Sequence, residues 1–225
     1  MKGERHDLEA MAERIGGRTR LVFVCNPNNP TGSMVGREEV AAFLDKVPPE
    51  VLVVFDEAYG EYVTDPDFPD TLEALRRGKN VVILHTFSKI YGLAGLRIGY
   101  GIGPTDVVGY LHRVRQPFNT SAAAQWGALA ALSDEAHVVR SRKNNAAGMA
   151  YLTSVFDRMG IAYVPSQTNF IYFQTTVSGK ELYDRLLREG VIIRHIEGNR
   201  LRVTIGLPEE NRRFVRSFQK VLKEH

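Results

Sequence analysis

A single cysteine, Cys25, and no apolar stretch of membrane-spanning length set the first limits on this chain of 225 residues. One thiol cannot build a disulfide framework, which points away from small secreted scaffolds and toward a reducing compartment. Cys25 itself, at the end of an apolar segment, reads as a small buried residue. A transmembrane helix needs about 20 consecutive apolar residues, and the start Met1-Lys2-Gly3-Glu4-Arg5-His6 lacks the apolar core of a secretory signal. No membrane association and a cytoplasmic location are therefore expected. Charge is not concentrated either. Lys and Arg number 29 against 26 Asp and Glu, a net charge of +3, and the signs are mixed, so no basic block marks a nucleic-acid partner. The slight positive balance suits small anionic ligands. His6, His85, His112, His137, His195 and His225 are scattered without ligand spacing, which argues against a metal centre. Gly99, Gly101 and Gly103 are closely spaced, yet Asp106 stands where a dinucleotide fingerprint has its third glycine, and neither a P-loop nor an internal repeat occurs. Those glycines read instead as a closely packed strand.

What is present is an ordinary globular composition in a β-α-β order. Hydrophobic residues make up 44% and charged ones 24%, enough for one large domain or two small ones. Apolar strands are expected at 21–25, 51–55, 81–84 and 97–102, with helices at 37–46 and 71–77 between them. Continuous apolar strands joined by helices imply an α/β fold, a mainly parallel sheet with helices on both faces. Helices at 106–114 and 121–132 lead into a long one at 134–159, broken by Gly160. Beyond it, strands at 161–164, 169–173, 191–195 and 201–205, with helices at 179–189 and from Pro208, read as a smaller α+β domain. Pro208 at the first helical position, acids Glu209 and Glu210 in the first turn and Lys220 and Lys223 in the last suit the helix dipole. Phe214, Val215, Phe218, Val221 and Leu222 form its apolar stripe. The expected domains are 1–133 and 134–225, linked by the long helix.

Three strands run into residues that carry chemistry. After 21–25 comes Asn26-Pro27-Asn28-Asn29-Pro30-Thr31-Gly32, dense in turn-forming residues. The strand 51–55 leads into Asp56-Glu57-Ala58-Tyr59. The strand 81–84 precedes Thr86-Phe87-Ser88-Lys89-Ile90-Tyr91-Gly92-Leu93-Ala94-Gly95-Leu96-Arg97. Taken singly, a tight turn, a helix cap and a polar loop account for them. In parallel strands all three fall at one carboxyl edge, where open α/β sheets gather ligands. Lys89 can condense with an aldehyde, and Thr86, Ser88 and Arg97 can hold a phosphate. Those are the needs of an enzyme that carries pyridoxal phosphate as a lysine Schiff base.

The order Asn-Pro-Thr-Gly, Asp-x-x-Tyr, Ser-Lys, Arg resembles the fold-type I aminotransferases. Among these the chain is most similar to the histidinol-phosphate aminotransferases, through His6-Asp7-Leu8-Glu9-Ala10-Met11, Arg113-Val114-Arg115-Gln116-Pro117-Phe118-Asn119, and Leu201-Arg202-Val203-Thr204-Ile205-Gly206 with Glu209-Glu210-Asn211. Threonine-phosphate decarboxylases and several other fold-type I aminotransferases share the core motifs and are the alternatives. The resemblance implies the central part of a fold-type I large domain plus a small C-terminal domain. It implies pyridoxal 5'-phosphate as cofactor, a homodimer, and small anionic amino and keto substrates, namely histidinol phosphate with 2-oxoglutarate or glutamate, as in histidine biosynthesis. Carried over by motif, Asp56 lies beside the pyridine nitrogen, while Tyr59 and Asn29 meet the ring hydroxyl. Lys89 is the Schiff-base lysine and proton carrier, and Arg97 with Thr86 and Ser88 holds the phosphate. Arg202 matches the arginine that grips the substrate's anionic end, with Asn29 near the substrate as well. Arg194 is either a second anion ligand or half of a surface ion pair. Asn169-Phe170 resembles a family signature, with strand-start packing as the other reading. Glu57 is expected to point away from the cofactor and serve structure.

Family members carry a long N-terminal portion before the segment resembling 6–11. By resemblance, that portion supplies backbone donors to the cofactor phosphate, the aromatic residue stacked on the ring, part of the substrate pocket and three sheet strands. Two expectations follow. The chain is either an aminotransferase completed by a segment supplied from elsewhere, or a catalytically silent fragment that associates with an intact subunit.

Overall fold

The computed structural model describes Met1 and residues 3–223. Lys2 and His225, cited above in the N-terminal stretch and among the histidines, lie outside the described residues, as does Glu224. Two compact units emerge, one of residues 1–28 and 34–138, the other of residues 29–33 and those from Val139 onward.

The first unit is built on a four-stranded sheet in the order β1 (Leu21–Cys25), β2 (Leu52–Asp56), β3 (Val81–Thr86), β4 (Gly99–Ile102). The first three are parallel, with Cys25 opposite Asp56 and Asp56 opposite Leu84. The fourth is antiparallel, pairing Thr86 with Gly99. Its reversal follows from the connection, which holds only a short 3-10 turn at Ala94–Leu96, whereas a parallel return needs a full crossover. The glycines that open β4 and follow it are a steric requirement. A Cβ on Gly99 would lie 2.6 Å from the His85 carbonyl oxygen, and one on Gly103 would lie 2.7 Å from Val82.

The helices of this unit are α1 (Leu8–Glu13), α2 (Arg37–Lys46), α3 (Thr71–Arg76), α4 (Thr105–Val114) and α5 (Ala122–Leu132), and α6 (Glu135–Met159) begins in it. The six-residue α1 was not foreseen; Asp7 caps it by accepting the Ala10 N–H at 3.0 Å. Val24, Val53, Phe55 and Val81 of the sheet bury against Leu8, Val40, Phe43 and Leu44. On β1 the alternation is visible, since Leu21 and Phe23 remain 52% and 62% exposed beside buried Val24.

The second unit holds β5 (Ala162–Tyr163), β6 (Phe170–Gln174), β7 (Arg194–Glu197) and β8 (Arg200–Thr204) in the order β5-β6-β8-β7, all antiparallel. The rest of α6, with α7 (Gly179–Arg188) and α8 (Pro208–Lys223), covers it. Its core is aromatic. Phe156 of α6 sits 4.8 Å from Phe173, 6.0 Å from Phe218 and 6.3 Å from Phe214, centroid to centroid. The strand expected at 191–195 begins at Arg194, because Val191 and Ile193 enter the core before the chain reaches its partner strand. The segment 29–33, read from sequence with the first domain, groups with this unit. No helix among the described residues is long and apolar enough to cross a membrane.

Candidate active site

In the first unit, Asp56 ends β2 and is half-buried. Its Oδ1 accepts the Ala58 N–H at 3.1 Å, which orients the carboxylate. The Glu57 N–H donates to the Leu84 carbonyl at 2.9 Å and pins the next residue to β3. A 3-10 turn follows at Gly60–Tyr62, leaving Tyr59 buried, only 4% exposed. Lys89 Nζ lies 5.1 Å from the Tyr59 ring centroid. The lysine is positioned by its neighbours, because Phe87 and Ile90 are both buried while Ser88 and Lys89 between them stay half-exposed. The turn closes through the Gly92 N–H on the Lys89 carbonyl at 2.9 Å, and His137 Nε2 lies 3.0 Å from the Ile90 carbonyl oxygen.

Next to Lys89 a cluster of donors gathers. The Ser88 N–H meets Thr86 Oγ1 at 3.1 Å, and Arg97 Nη1 donates to Ser88 Oγ at 3.1 Å and to the Ala94 carbonyl at 2.9 Å. Arg97 is exposed and holds φ at +53°, in the left-handed region that non-glycine residues seldom adopt. That backbone conformation turns its side chain back onto the residues that precede β4. Sequence reasoning named Asp56, Tyr59, Thr86, Ser88, Lys89 and Arg97, and all six lie in the turns and strand ends of this one sheet.

The second unit brings together two other named residues. Asn29 Oδ1 accepts a hydrogen bond from Arg202 Nη1, and the Arg202 guanidinium carbon lies 4.6 Å from the Phe170 ring centroid. Asn29 is thus held by an arginine, a partner that nothing in the sequence foretold. Around it, the Gln167 N–H donates to the Gly32 carbonyl at 2.9 Å. Gly32 has φ +78°, and a Cβ there would run into Ser166. Arg194 is exposed on β7 directly opposite Arg202, and its side chain forms no ion pair among the described residues. Phe170 of the Asn169-Phe170 pair is 1% exposed and opens β6.

A polar cluster that sequence reasoning did not assemble lies beside Asp56. Glu57 is buried at 5% exposure, and its Oε1 accepts the Thr71 hydroxyl at 2.5 Å. His85 Nε2 is 3.4 Å from Glu57 Oε2, and its Nδ1 is 3.3 Å from Glu61 Oε1. The imidazole stacks on Tyr100 at 5.1 Å and 13°. Burial pushes the Glu57 carboxyl up to about 7, against the pull of Thr71 and His85. The hydrogen bond to Glu61, with the charges of Glu57, Glu61 and Asp56, outweighs burial and raises His85. Together the two hold a proton to higher pH than an exposed glutamate or histidine would. Two acids flanking Tyr59 and a histidine on the neighbouring strand were the only signals in the sequence.

Set beside known proteins, the family model for aminotransferase class I and II matches residues 2–218. A histidinol-phosphate aminotransferase of Moorella thermoacetica is 52% identical over 223 residues, which span 97% of this chain and 58% of that relative. One of Nitrosococcus oceani is 49% identical over 227 residues, 99% of this chain and 61% of its own length. The solved histidinol-phosphate aminotransferase of Sinorhizobium meliloti, in complex with pyridoxal-5'-phosphate, aligns with TM-score 0.91 and 29% identity over 99% of this chain and 62% of that one. The chain therefore spans about three-fifths of the length of the curated relatives it matches.

Proposed function

The chain belongs to the aminotransferase class I and II family, and we propose that its protein moves the amino group of histidinol phosphate to 2-oxoglutarate with pyridoxal phosphate as cofactor. The observation that carries this reading is the meeting of Lys89 with Tyr59 at 5.1 Å, next to the Ser88–Arg97 hydrogen bond of 3.1 Å. An amine, a phenol and a phosphate-binding pair within one set of strand-end turns suit this cofactor's aldehyde, ring hydroxyl and phosphate. The substrate follows from relatives near 50% identity that carry that name. The resemblance to fold-type I aminotransferases also supports a cytoplasmic homodimer.

When bound, pyridoxal phosphate supplies an aldehyde carbon that takes up the amino group and a pyridine ring that accepts the electrons left at the substrate Cα. Asp56 holds the proton on the ring nitrogen, since a carboxylate beside that nitrogen favours its charged form. Tyr59 donates to the ring oxygen. Arg97, Ser88 and Thr86 bind the phosphate, with the guanidinium giving charge-assisted hydrogen bonds. Lys89 would be the residue that holds the cofactor's aldehyde carbon, and its free amine would carry the proton from the substrate Cα. Arg202 binds the anionic end of the substrate, joined by Arg194, and Asn29 fixes the orientation of Arg202.

The protein is to be incubated with pyridoxal phosphate, 2-oxoglutarate and, in turn, histidinol phosphate, threonine phosphate and phenylalanine. Glutamate should appear fastest with histidinol phosphate. A preference for phenylalanine rejects the substrate assignment, and carbon dioxide release from threonine phosphate replaces transamination with decarboxylation. Absence of glutamate and of any change in the cofactor spectrum favours the silent chain.

A further inference from the structure

Resting on the reading of Asp56 and Tyr59 given above, we propose that His85 is a positioning residue: its imidazole bridges Glu57 and Glu61 and so fixes the turn that presents Asp56 and Tyr59 beside Lys89. The two carboxylates stand on either side of Ala58-Tyr59-Gly60, one on each ring nitrogen at 3.4 and 3.3 Å. Bridging both ends of a five-residue turn with one planar group removes the freedom that a turn of this kind otherwise keeps. Backbone bonds act in the same turn: the Ala58 N–H on Asp56 at 3.1 Å, the Gly60 N–H on the Glu57 carbonyl at 2.8 Å, the Tyr62 N–H on the Tyr59 carbonyl at 3.0 Å and the Val63 N–H on the Gly60 carbonyl at 3.1 Å.

The bridge is itself held in place. Glu57 is tied to α3 through the Thr71 hydroxyl, and the ring of His85 lies flat against Tyr100 of β4. His85 precedes Thr86 on β3, the strand that leads directly into Ser88 and Lys89. One side chain thus connects the strand that leads to the amine with the turn that follows the acid and carries the phenol. The acids and phenol facing the imidazole are Glu57, Glu61, Asp56 and Tyr100. The charges of Glu57, Glu61 and Asp56 favour the cationic ring, which can present an N–H to each side of the bridge.

The test compares the native chain with His85→Phe, which keeps the stack on Tyr100 but loses both polar contacts, and with His85→Arg, which restores a two-armed cation. Amide hydrogen exchange is read at Ala58, Gly60 and Tyr62 and, for reference, at Val53 and Val54 of β2. Loss of the bridge should speed exchange in the turn about tenfold, the equivalent of one charged hydrogen bond. The reference amides should stay unchanged, and His85→Arg should recover most of the protection. With pyridoxal phosphate added, the pH midpoint of the bound cofactor's visible band should move in His85→Phe and return in His85→Arg. Unchanged exchange in the turn, or an acceleration spread equally over β2, overturns the proposal. Should His85→Phe fail to fold, Glu61→Ala removes one arm alone and should speed exchange in the turn about threefold; no change there also overturns it. A native chain that binds no pyridoxal phosphate counts against the aminotransferase reading instead, and the exchange contrast still decides the bridge.

Discussion

In the first unit Asp56 ends a parallel strand and Tyr59 and Lys89 lie in the turns beyond such strands, whereas in the second Arg194 and Arg202 lie within antiparallel strands and face each other in register. The difference is a consequence of sheet type. Parallel strands point their carboxyl ends the same way, so successive loops meet at one edge. Antiparallel neighbours instead set side chains of adjacent strands together on one face, which is how two arginines come to lie abreast. The cores differ in the same sense. The second unit buries a ring cluster around Phe156, while the first buries Glu57 and Thr71 beside its apolar core. The first unit therefore contains ionisable groups whose state depends on pH, close to the residues assigned to chemistry, and the second is stabilised mainly by apolar packing.

The largest expected effect falls on the loop chemistry of the first unit. Lys89→Ala should lower transamination by about 10⁴-fold or more, roughly 5 kcal/mol of barrier, since the residue both bonds the cofactor and carries the proton. Borohydride reduction of the pyridoxal phosphate-loaded protein should attach the label to the peptide containing Lys89. A label on Lys79 or Lys143 would move the chemistry out of the strand-end turns and undo the contrast with the second unit.

Packing gives the next effect. Phe156 is fully buried among four aromatic rings, and Phe156→Ala should cost about 4 kcal/mol of stability in a urea titration. Phe23, on the outward side of β1 at 62% exposure, should lose less than about 0.5 kcal/mol on the same change. Equal costs would mean that the outward face of the first sheet is as well packed as the second unit's core.

Much of this organisation was legible in the sequence, for identifiable reasons. Strands 21–25 and helices 37–46 and 208–223 emerge as read, because apolar period and capping residues agree there. The candidate residues of the first unit were found because each follows an apolar strand, and a parallel sheet brings such positions to one edge. The reversal of β4 was not visible, since direction depends on whether the connection forms a crossover helix rather than on the strand. The late start of β7 was hidden because Val191 and Ile193 are apolar for the sake of the core and not of a ladder. The bond from Arg202 to Asn29 joins residues 173 positions apart, and no local pattern encodes such a pair. His85 looked like one scattered histidine because its partners, Glu57 and Glu61, come from another strand end.

The buried acid of the first unit should give stability a pH dependence that the second unit's core does not. Glu57 is raised from 4.5 to about 7 in the fold, so the folded chain binds a proton that the unfolded chain has released. That stabilising contribution is full below pH 4.5 and is lost as pH rises through about 7. His85 is raised above 6.5 and acts with the same sign: its contribution is full below 6.5 and lost as pH passes its folded value. Glu57→Gln should flatten the fall in stability between pH 4.5 and 7 by on the order of 2 kcal/mol. Urea midpoints measured across that range check it, with Phe156→Ala as the reference whose slope should match the native chain. An unaltered slope in Glu57→Gln would assign the pH dependence to other groups.

The smallest effect separates a helix cap from the charge it carries. Asp70 caps α3 by accepting the Glu73 N–H at 2.8 Å, and Ser178 caps α7 by accepting the Glu181 N–H at 3.4 Å. Loss of a side-chain cap costs about 1 kcal/mol, so Asp70→Ala should destabilise by that amount and Ser178→Ala, with its longer bond, by less. Asp70 has a second consequence that Ser178 lacks. It precedes Thr71, whose hydroxyl holds Glu57, and its charge is one of those raising the Glu57 carboxyl. Asp70→Asn keeps a capping oxygen, so the stability cost should shrink to a few tenths of a kcal/mol, while removal of the like charge draws Glu57 back toward 4.5. The pH at which stability falls should then move down in Asp70→Asn and stay put in Ser178→Ala. If both variants leave that pH unchanged, Asp70 is a cap and nothing more, and Glu57 takes its character from burial, Thr71, His85 and Glu61.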